Sequence, residues 1–305
     1  MRICSLLPSA TEIVASLGLT DALVAVSEEC DWPPAVRELP IVTASRVDTN
    51  RLSSLEIELA VRETIADGRP LYAIDRDLLE QLEPDLILTQ NLCSVCAVSA
   101  DTVGQLCATS AEVVALDAHT IAEIQQRVLD LAELLGATAR GHAVVERMQA
   151  TIAATHAQVA GAPTPPVFVA EWLDPPYAAG HWIPEMVALA GGREVLGRAG
   201  APSYPTSWEA VRNQRPELVV IAPAVSTTNA PHTRRRGSSS TVARLPSTPT
   251  PTTPGPRHAS PMASPSSRPS STQTSATTPA SPTPNSPAVQ RSCADIHGPA
   301  RHTRS

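Results

Sequence analysis

Three thiols, one imidazole and a set of flat aromatic rings are the residues of this chain whose types and spacing can do chemistry. Cys93-Ser94-Val95-Cys96 has the C-x-x-C spacing, which sets two sulfurs on one turn. A helix starting near Ser99 would lower a nearby thiol pKa through its free amides and its dipole. Cys30 falls at the end of a predicted strand, so Cys30, Cys93 and Cys96 can meet at one cleft edge, with His181 as a fourth donor. Zinc or an iron–sulfur cluster tolerates that inventory, but zinc sites of this kind normally use two C-x-x-C units and only one occurs. Redox activity and plain packing of small thiols stand beside metal ligation. His181 by itself offers either an axial donor to cobalt or iron or a structural hydrogen bond.

Trp32, Trp172, Tyr177, Trp182, Tyr204 and Trp208 are most of the eight aromatic residues. Rings in loops hold large flat apolar ligands by their faces, whereas rings inside elements fill core. Trp208, at a predicted helix start, is assigned to core; for Trp172 and Trp182, in a Pro/Gly-rich loop with Tyr177 and His181, both readings stay open. Glu28, Glu29 and Asp31 form an acidic group read as solvated surface or as a contact for Arg on a partner. Gly191-Gly192 follows a predicted helix without G-x-G-x-x-G spacing, so it is read as a C-cap and not as a phosphate loop.

Elements must carry these residues into register. Ile3–Leu7 reads as a buried strand, and Ser9-Ala10-Thr11-Glu12 as a capping box opening a helix that stops at Gly18. Leu23–Ser27, Ile41–Thr43, Leu86–Gln90 and Val113–Leu116 read as strands, and Leu55–Ala66 as a helix. A second capping box at Thr120–Glu123 precedes Ile121, Ile124, Val128, Leu131 and Leu135, one apolar helical face. A long helix follows Gly136 to about Ala160. After Pro163-Thr164-Pro165-Pro166 a second series begins, with a strand over Val167–Trp172, helices from Ile183 and Trp208, and a strand over Leu218–Ala222. The unit LEQLEPDLIL near Leu79 returns as AVRNQRPELVV near Ala210. The pattern predicts an α/β protein of two αβ lobes joined by a single long bridging helix.

Composition sets further limits. Residues 1–224 carry 29 of the 30 acidic residues and all the aromatics, whereas 225–305 carry nine Arg, one acid (Asp295) and 14 of the 30 prolines. The latter stretch has too little apolar surface to offset the entropy of ordering it, and is expected to be a disordered Pro/Ser/Thr/Arg-rich tail. Every basic residue is Arg, which excludes lysine Schiff-base chemistry and the P-loop amine. An acidic body argues against nucleic acid as a partner. No apolar run reaches the ~18–20 residues of a membrane span, and Pro8 interrupts the start too early for a signal-peptide core. The expected location is therefore cytoplasmic as written, or periplasmic or cell-surface if a true start upstream adds a signal. Six cysteines in such a chain are expected to be thiols or ligands and not a disulfide framework.

The stretches ICSLLPSATEIVASLGL, LVAVSEECDWPP, LEPDLILTQ and AEWLDPPYAAGHWIPEMVALAGG resemble the cobalamin- and iron-complex-binding proteins (siderophore, haem) of bacterial ABC importers, over about residues 2–224. The resemblance implies lobes at 1–136 and 163–224, a bridging helix at 137–162 and a tail at 225–305. It also implies a ligand held between the lobes by strand-end loops, here Pro8, Ser9, Trp32, Gln90, Trp172, Tyr177, His181 and Trp182. Two departures from the family pattern stand out: the chain starts directly at its first strand, and after Ala222 the pattern gives way to the Pro/Ser/Thr/Arg tract. A frameshift in a GC-rich gene, or a genuine extension, accounts for that tract, and the second lobe is expected to be incomplete. The implied function is non-enzymatic capture of a corrinoid, haem or iron complex as ligand, with no cofactor required and an ABC importer membrane component as partner. The alternative is a cytosolic enzyme or sensor holding a metal through Cys30, Cys93 and Cys96.

Overall fold

The computed structural model describes residues 1–49, 51–92, 97–106, 110–223 and 241–244, the last four by backbone alone. The first lobe runs β1 (Ile3–Ser5), α1 (Pro8–Ser16), β2 (Leu23–Val26), β3 (Thr43–Ser45), α2 (Ser54–Ala66), β4 (Tyr72–Ile74), α3 (Arg76–Leu82), β5 (Leu86–Thr89), α4 (Ala100–Leu106), β6 (Glu112–Ala115) and α5 (Ile121–Leu134). Four of these strands form a parallel sheet in the order β2-β1-β5-β6. Parallel strands are covered on both faces by their crossover helices and so need apolar side chains on both. Cys4, Ala25 and Ile87 accordingly pack with Ile57, Leu79 and Val103 on one face, while Ile3, Leu23, Leu86 and Leu88 pack with Ala10, Val14 and Leu131 on the other.

Two local expectations change. Pro8 sits at the first position of α1, where its fixed φ favours a helix start, and the flanking Leu7 gives no side-chain cap; Ser9 is thus inside the helix and its capping box is not formed. A complete capping box occurs instead at Ser53 and Glu56, opening α2. The strand expected over Ile41–Thr43 is displaced: Ile41 makes only a bridge to Val26, and β3 pairs antiparallel with β4 in a separate two-stranded sheet.

The bridge is α6 (Thr138–Val159), 22 residues long and so about 33 Å from end to end. Only its first turns are buried, through Gly141, Val144 and Val145, against Val128 and Ala132 of α5. Gly141 is required there because a Cβ would lie 2.4 Å from that of Ala132.

The second lobe contains β7 (Pro166–Leu173), β8 (Pro176–Ala178), α7 (Ile183–Leu189), β9 (Arg193–Glu194), β10 (Tyr204–Pro205), α8 (Trp208–Gln214), β11 (Leu218–Ile221) and β12 (Thr241–Arg244). Its mixed sheet has the order β10-β8-β7-β11-β12, with β9 on β7. Phe168, Ala170 and Val219 pack toward Val211 of α8, and Val167, Val169 and Val220 toward Ile183 and Val187 of α7. Within the stretch expected to be tail, Thr241–Arg244 pairs antiparallel with the edge of β11; an open strand edge gains partners for its free amides and carbonyls this way. The remainder of the expected tail lies outside the described residues.

The sequence repeat has a structural counterpart. Helices α3 and α8 both end on a left-handed residue, Glu83 (φ 41°) and Arg215 (φ 51°), immediately before a proline that cannot continue the helix. The acidic residue after each proline then donates its amide beside the lobe's first strand, Asp85 to the Arg2 carbonyl and Glu217 to that of Pro166. β5 and β11 thereby enter parallel to β1 and β7.

Candidate functional site between the lobes

In a parallel sheet the loops after the strands share one edge. In the first lobe that edge carries Pro8 and Ser9 after β1, Cys30 and Trp32 after β2, Gln90 after β5 and His119 after β6. The second lobe meets the first in two regions, one of them at this edge. In one, the Ile121 amide at the start of α5 donates to Glu185 Oε2 of α7 at 2.9 Å, and the rings of His119 and His181 lie 5.7 Å apart. In the other, Trp172 Nε1 donates to the Ser54 carbonyl at 3.2 Å and Tyr177 Oη to Glu58 Oε1 at 2.9 Å. Arg62 Nε holds that same Glu58 oxygen at 2.6 Å.

Of the expected ligand-facing residues, Ser9 is exposed and Pro8, Trp32, Tyr177, His181 and Trp182 are half-buried. Gln90 is buried. For Trp172, left open between cleft and core, the burial favours core: it is 8% exposed and belongs to the same cluster as Leu6, Ile57 and Tyr72 of the first lobe. Its indole fastens the lobes together and offers no free face to a ring. Trp208 is only partly covered, 37% exposed, meeting Phe168 edge-on at 6.1 Å and donating to the Leu173 carbonyl. His181 and Trp182 stand side by side, ring centres 5.8 Å apart. His181 takes a left-handed backbone, φ 49°, fixed by its amide on the Ala201 carbonyl at 2.7 Å. The preceding Gly180 passes so near the Ala201–Ser203 loop that a Cβ would lie 2.3 Å from the Ser203 nitrogen.

The expected metal set is not assembled by the described residues. Cys30 is buried, with Thr11 Oγ1 and Ser27 Oγ each 3.1 Å from its sulfur. Burial raises its pKa against the opposing effect of those hydroxyls, which favours the thiol over the ligating thiolate. Cys93 and Cys96 lie outside the described residues. Among the described residues no group of three or more His, Cys, Asp or Glu is placed to hold a metal ion.

Carboxylates give the site its electrostatic character. Desolvation, and after it the neighbouring Asp31, raises the pKa of Glu12 and of Glu29. Glu171 Oε1 accepts the Gly180 amide at 3.1 Å, but desolvation dominates and raises its pKa, with a further push from Glu194. His181 is lowered, first by desolvation and then by His119. Several of these participants, His119, Glu58, Glu171 and Glu185, carried no sequence signal: a lone imidazole or carboxylate without a spaced partner looks like any surface residue. Arg198, stacked 4.1 Å above the Tyr204 ring, is equally silent in sequence.

Two grooves lie elsewhere. One of about 370 Å³ runs between α5, α6 and α7, lined by Ile121, Gln125, Gln149, Ile152 and Leu189 among others. A smaller one, about 130 Å³, lies beside Tyr72 and Val98. Neither includes an expected ligand residue.

Two αβ lobes bridged by one helix, with strand-end loops turned toward each other, define the two-lobed binding proteins of substrate importers. The chain belongs to the periplasmic binding protein family, whose pattern matches residues 3–236. It is 26% identical over 220 residues to a vitamin B12-binding protein of Vibrio cholerae serotype O1, covering 72% of this chain and 69% of that one. In fold it is similar to the periplasmic vitamin B12-binding protein BtuF of Vibrio cholerae, with a TM-score of 0.52, 23% identity and coverage of 72% and 76% of the two chains. The periplasmic heme-binding protein RhuT from Roseiflexus sp. RS-1, in apo form, is similar to a like degree, with a TM-score of 0.51, 23% identity and coverage of 72% and 75%.

Proposed function

We propose that this chain is a non-enzymatic binding protein that captures a large metal-bearing ring ligand, a corrinoid or an iron complex such as haem, between its lobes and delivers it to an ABC importer. The reading takes lobes at 1–136 and 163–224 and a bridge at 137–162. The observation that carries it is the meeting of the first sheet's carboxyl edge with the 181–185 turn of the second lobe, marked by the Ile121–Glu185 bond and the His119–His181 contact. The reading draws its ligand-facing residues from Pro8, Ser9, Trp32 and Gln90 in the first lobe and from Tyr177, His181 and Trp182 in the second. Two half-buried indoles, Trp32 and Trp182, supply ring faces for stacking, and the His181 imidazole is a donor suited to cobalt or iron. The similarity to proteins named for vitamin B12 and heme supports the ligand class without choosing within it.

A binding protein of this kind meets its membrane partner without inserting, and no helix among the described residues is long and apolar enough to cross a membrane. The family's periplasmic setting supports delivery at the outer face of the inner membrane. Titrating the purified chain with cobalamin and with haem tests the reading. Saturable binding of one of them, weakened by Trp182→Ala, is expected; no binding of either overturns it.

A further inference from the structure

His119 and His181 come from opposite lobes, and their rings lie 5.7 Å apart with planes tilted by 40°. Nδ1 of His119 and Nε2 of His181 are both shut off from solvent without a hydrogen-bond partner. A buried polar nitrogen left unpaired is costly and uncommon, and here two belong to neighbouring rings. Two imidazoles sharing one ion, each with a metal–nitrogen bond of about 2.0–2.1 Å, have ring centres roughly 5–6 Å apart. The observed separation falls within that range.

Both rings are held by their backbones and not by each other. The His119 amide donates to Glu123 Oε2 at 2.6 Å, the next turn is tied to Glu185, and the His181 amide is tied to Ala201. Desolvation and the neighbouring His119 disfavour the charged form of His181, and neutral imidazole is the form with a lone pair for a metal.

We propose that His119 and His181 form a two-imidazole site for a divalent transition-metal ion of the zinc, nickel or copper type, bound across the junction of the lobes. Among the described residues no third His, Cys, Asp or Glu completes a cluster, so the two imidazoles are the donors the site supplies. An ion held by one donor from each lobe staples them together. This site requires no ring ligand in the cleft; because His181 is also the donor invoked for a ring-bound metal, the two uses exclude each other at any one time, and the ion is tested with the cleft empty.

The test uses the full chain, without corrinoid or haem, titrated calorimetrically with Zn²⁺ alone. One ion per chain and a higher unfolding temperature are expected, with His119→Gln and His181→Gln each weakening binding roughly tenfold or more. Absence of Zn²⁺ binding, or equal affinity in both variants, overturns the site. Because thiols also take zinc, the Co²⁺ spectrum separates the sources: intense thiolate charge-transfer bands for the bound ion overturn the proposal, and their absence supports it. Should either variant fail to fold, pulsed electron paramagnetic resonance of Cu²⁺ on the unaltered chain decides. Two imidazole nitrogens support the site, and one or none overturns it.

Discussion

Tyr177 in the second lobe donates its phenolic hydrogen to Glu58 in the first across 2.9 Å, on the same carboxylate oxygen that Arg62 holds from the following turn of α2. The bond joins lobes that approach each other from separate sheets. Desolvation, then Glu58 itself, raises the Tyr177 pKa, so the donor keeps its proton at neutral pH. Tyr177→Phe removes only the hydroxyl. The expected loss is about 0.5–1.5 kcal/mol, at the low end because the pair is partly solvated, and urea unfolding of the two proteins measures it.

Trp172 binds the same junction by packing. Its truncation to Ala is expected to cost about 3–5 kcal/mol of folding free energy, as for other large buried rings. Trp172→Phe retains most of the burial and loses the bond to the Ser54 carbonyl, so it should lie well below the Ala variant. Chemical denaturation ranks the two; a negligible effect of Trp172→Ala would contradict its place in the core.

The helix bridge depends on a close approach. At Gly141 an added methyl group would meet Ala132 at 2.4 Å, and overpacking of this kind costs about 1–3 kcal/mol. Gly141→Ala should lower the thermal midpoint despite alanine's better helix propensity. A rise in the midpoint would contradict the packing of α5 on α6.

Acid and base act on two groups in opposite senses. The Glu171 pKa is raised on folding, so the native state binds its proton more tightly and stability falls as pH rises from the ordinary carboxylate range through the raised value. His181 is lowered, so the unfolded chain binds its proton more tightly and stability falls as pH drops through the ordinary imidazole range. Glu171→Gln should flatten the first slope and His181→Gln the second. Unfolding midpoints measured across pH 4–8 check both signs.

Most of the first lobe was readable from sequence because continuous apolar runs and helical periodicity report burial directly, as in Leu86–Thr89 and Ile121–Leu134. The bridging helix and the Pro-[Asp/Glu] repeat were readable for the same reason. Short antiparallel pairs were not: β3 and β4 have three residues each, too few to show a period, and the strand near Ile41 was placed two residues early. Ser9-x-x-Glu12 fitted a capping box, but Pro8 claimed the first helical position. In the candidate site the aromatic residues were visible by type, yet type could not say that Trp172 crosses to the other lobe while Trp182 remains half-buried. His119 was invisible because its partner, His181, is 62 positions away and on another sheet.

Ring-ligand capture by the face between the lobes is tested by tryptophan-fluorescence titration of the purified chain with cobalamin and haem, alongside a Trp32→Ala/Trp182→Ala double variant. Saturable quenching with one ligand is expected in the parent chain. Affinity losses of about 1–3 kcal/mol are expected for each ring face removed, with a smaller change in folding stability. Undiminished binding in the double variant, followed by ligand absorbance because two of the four tryptophans are gone, would overturn ring capture at this face.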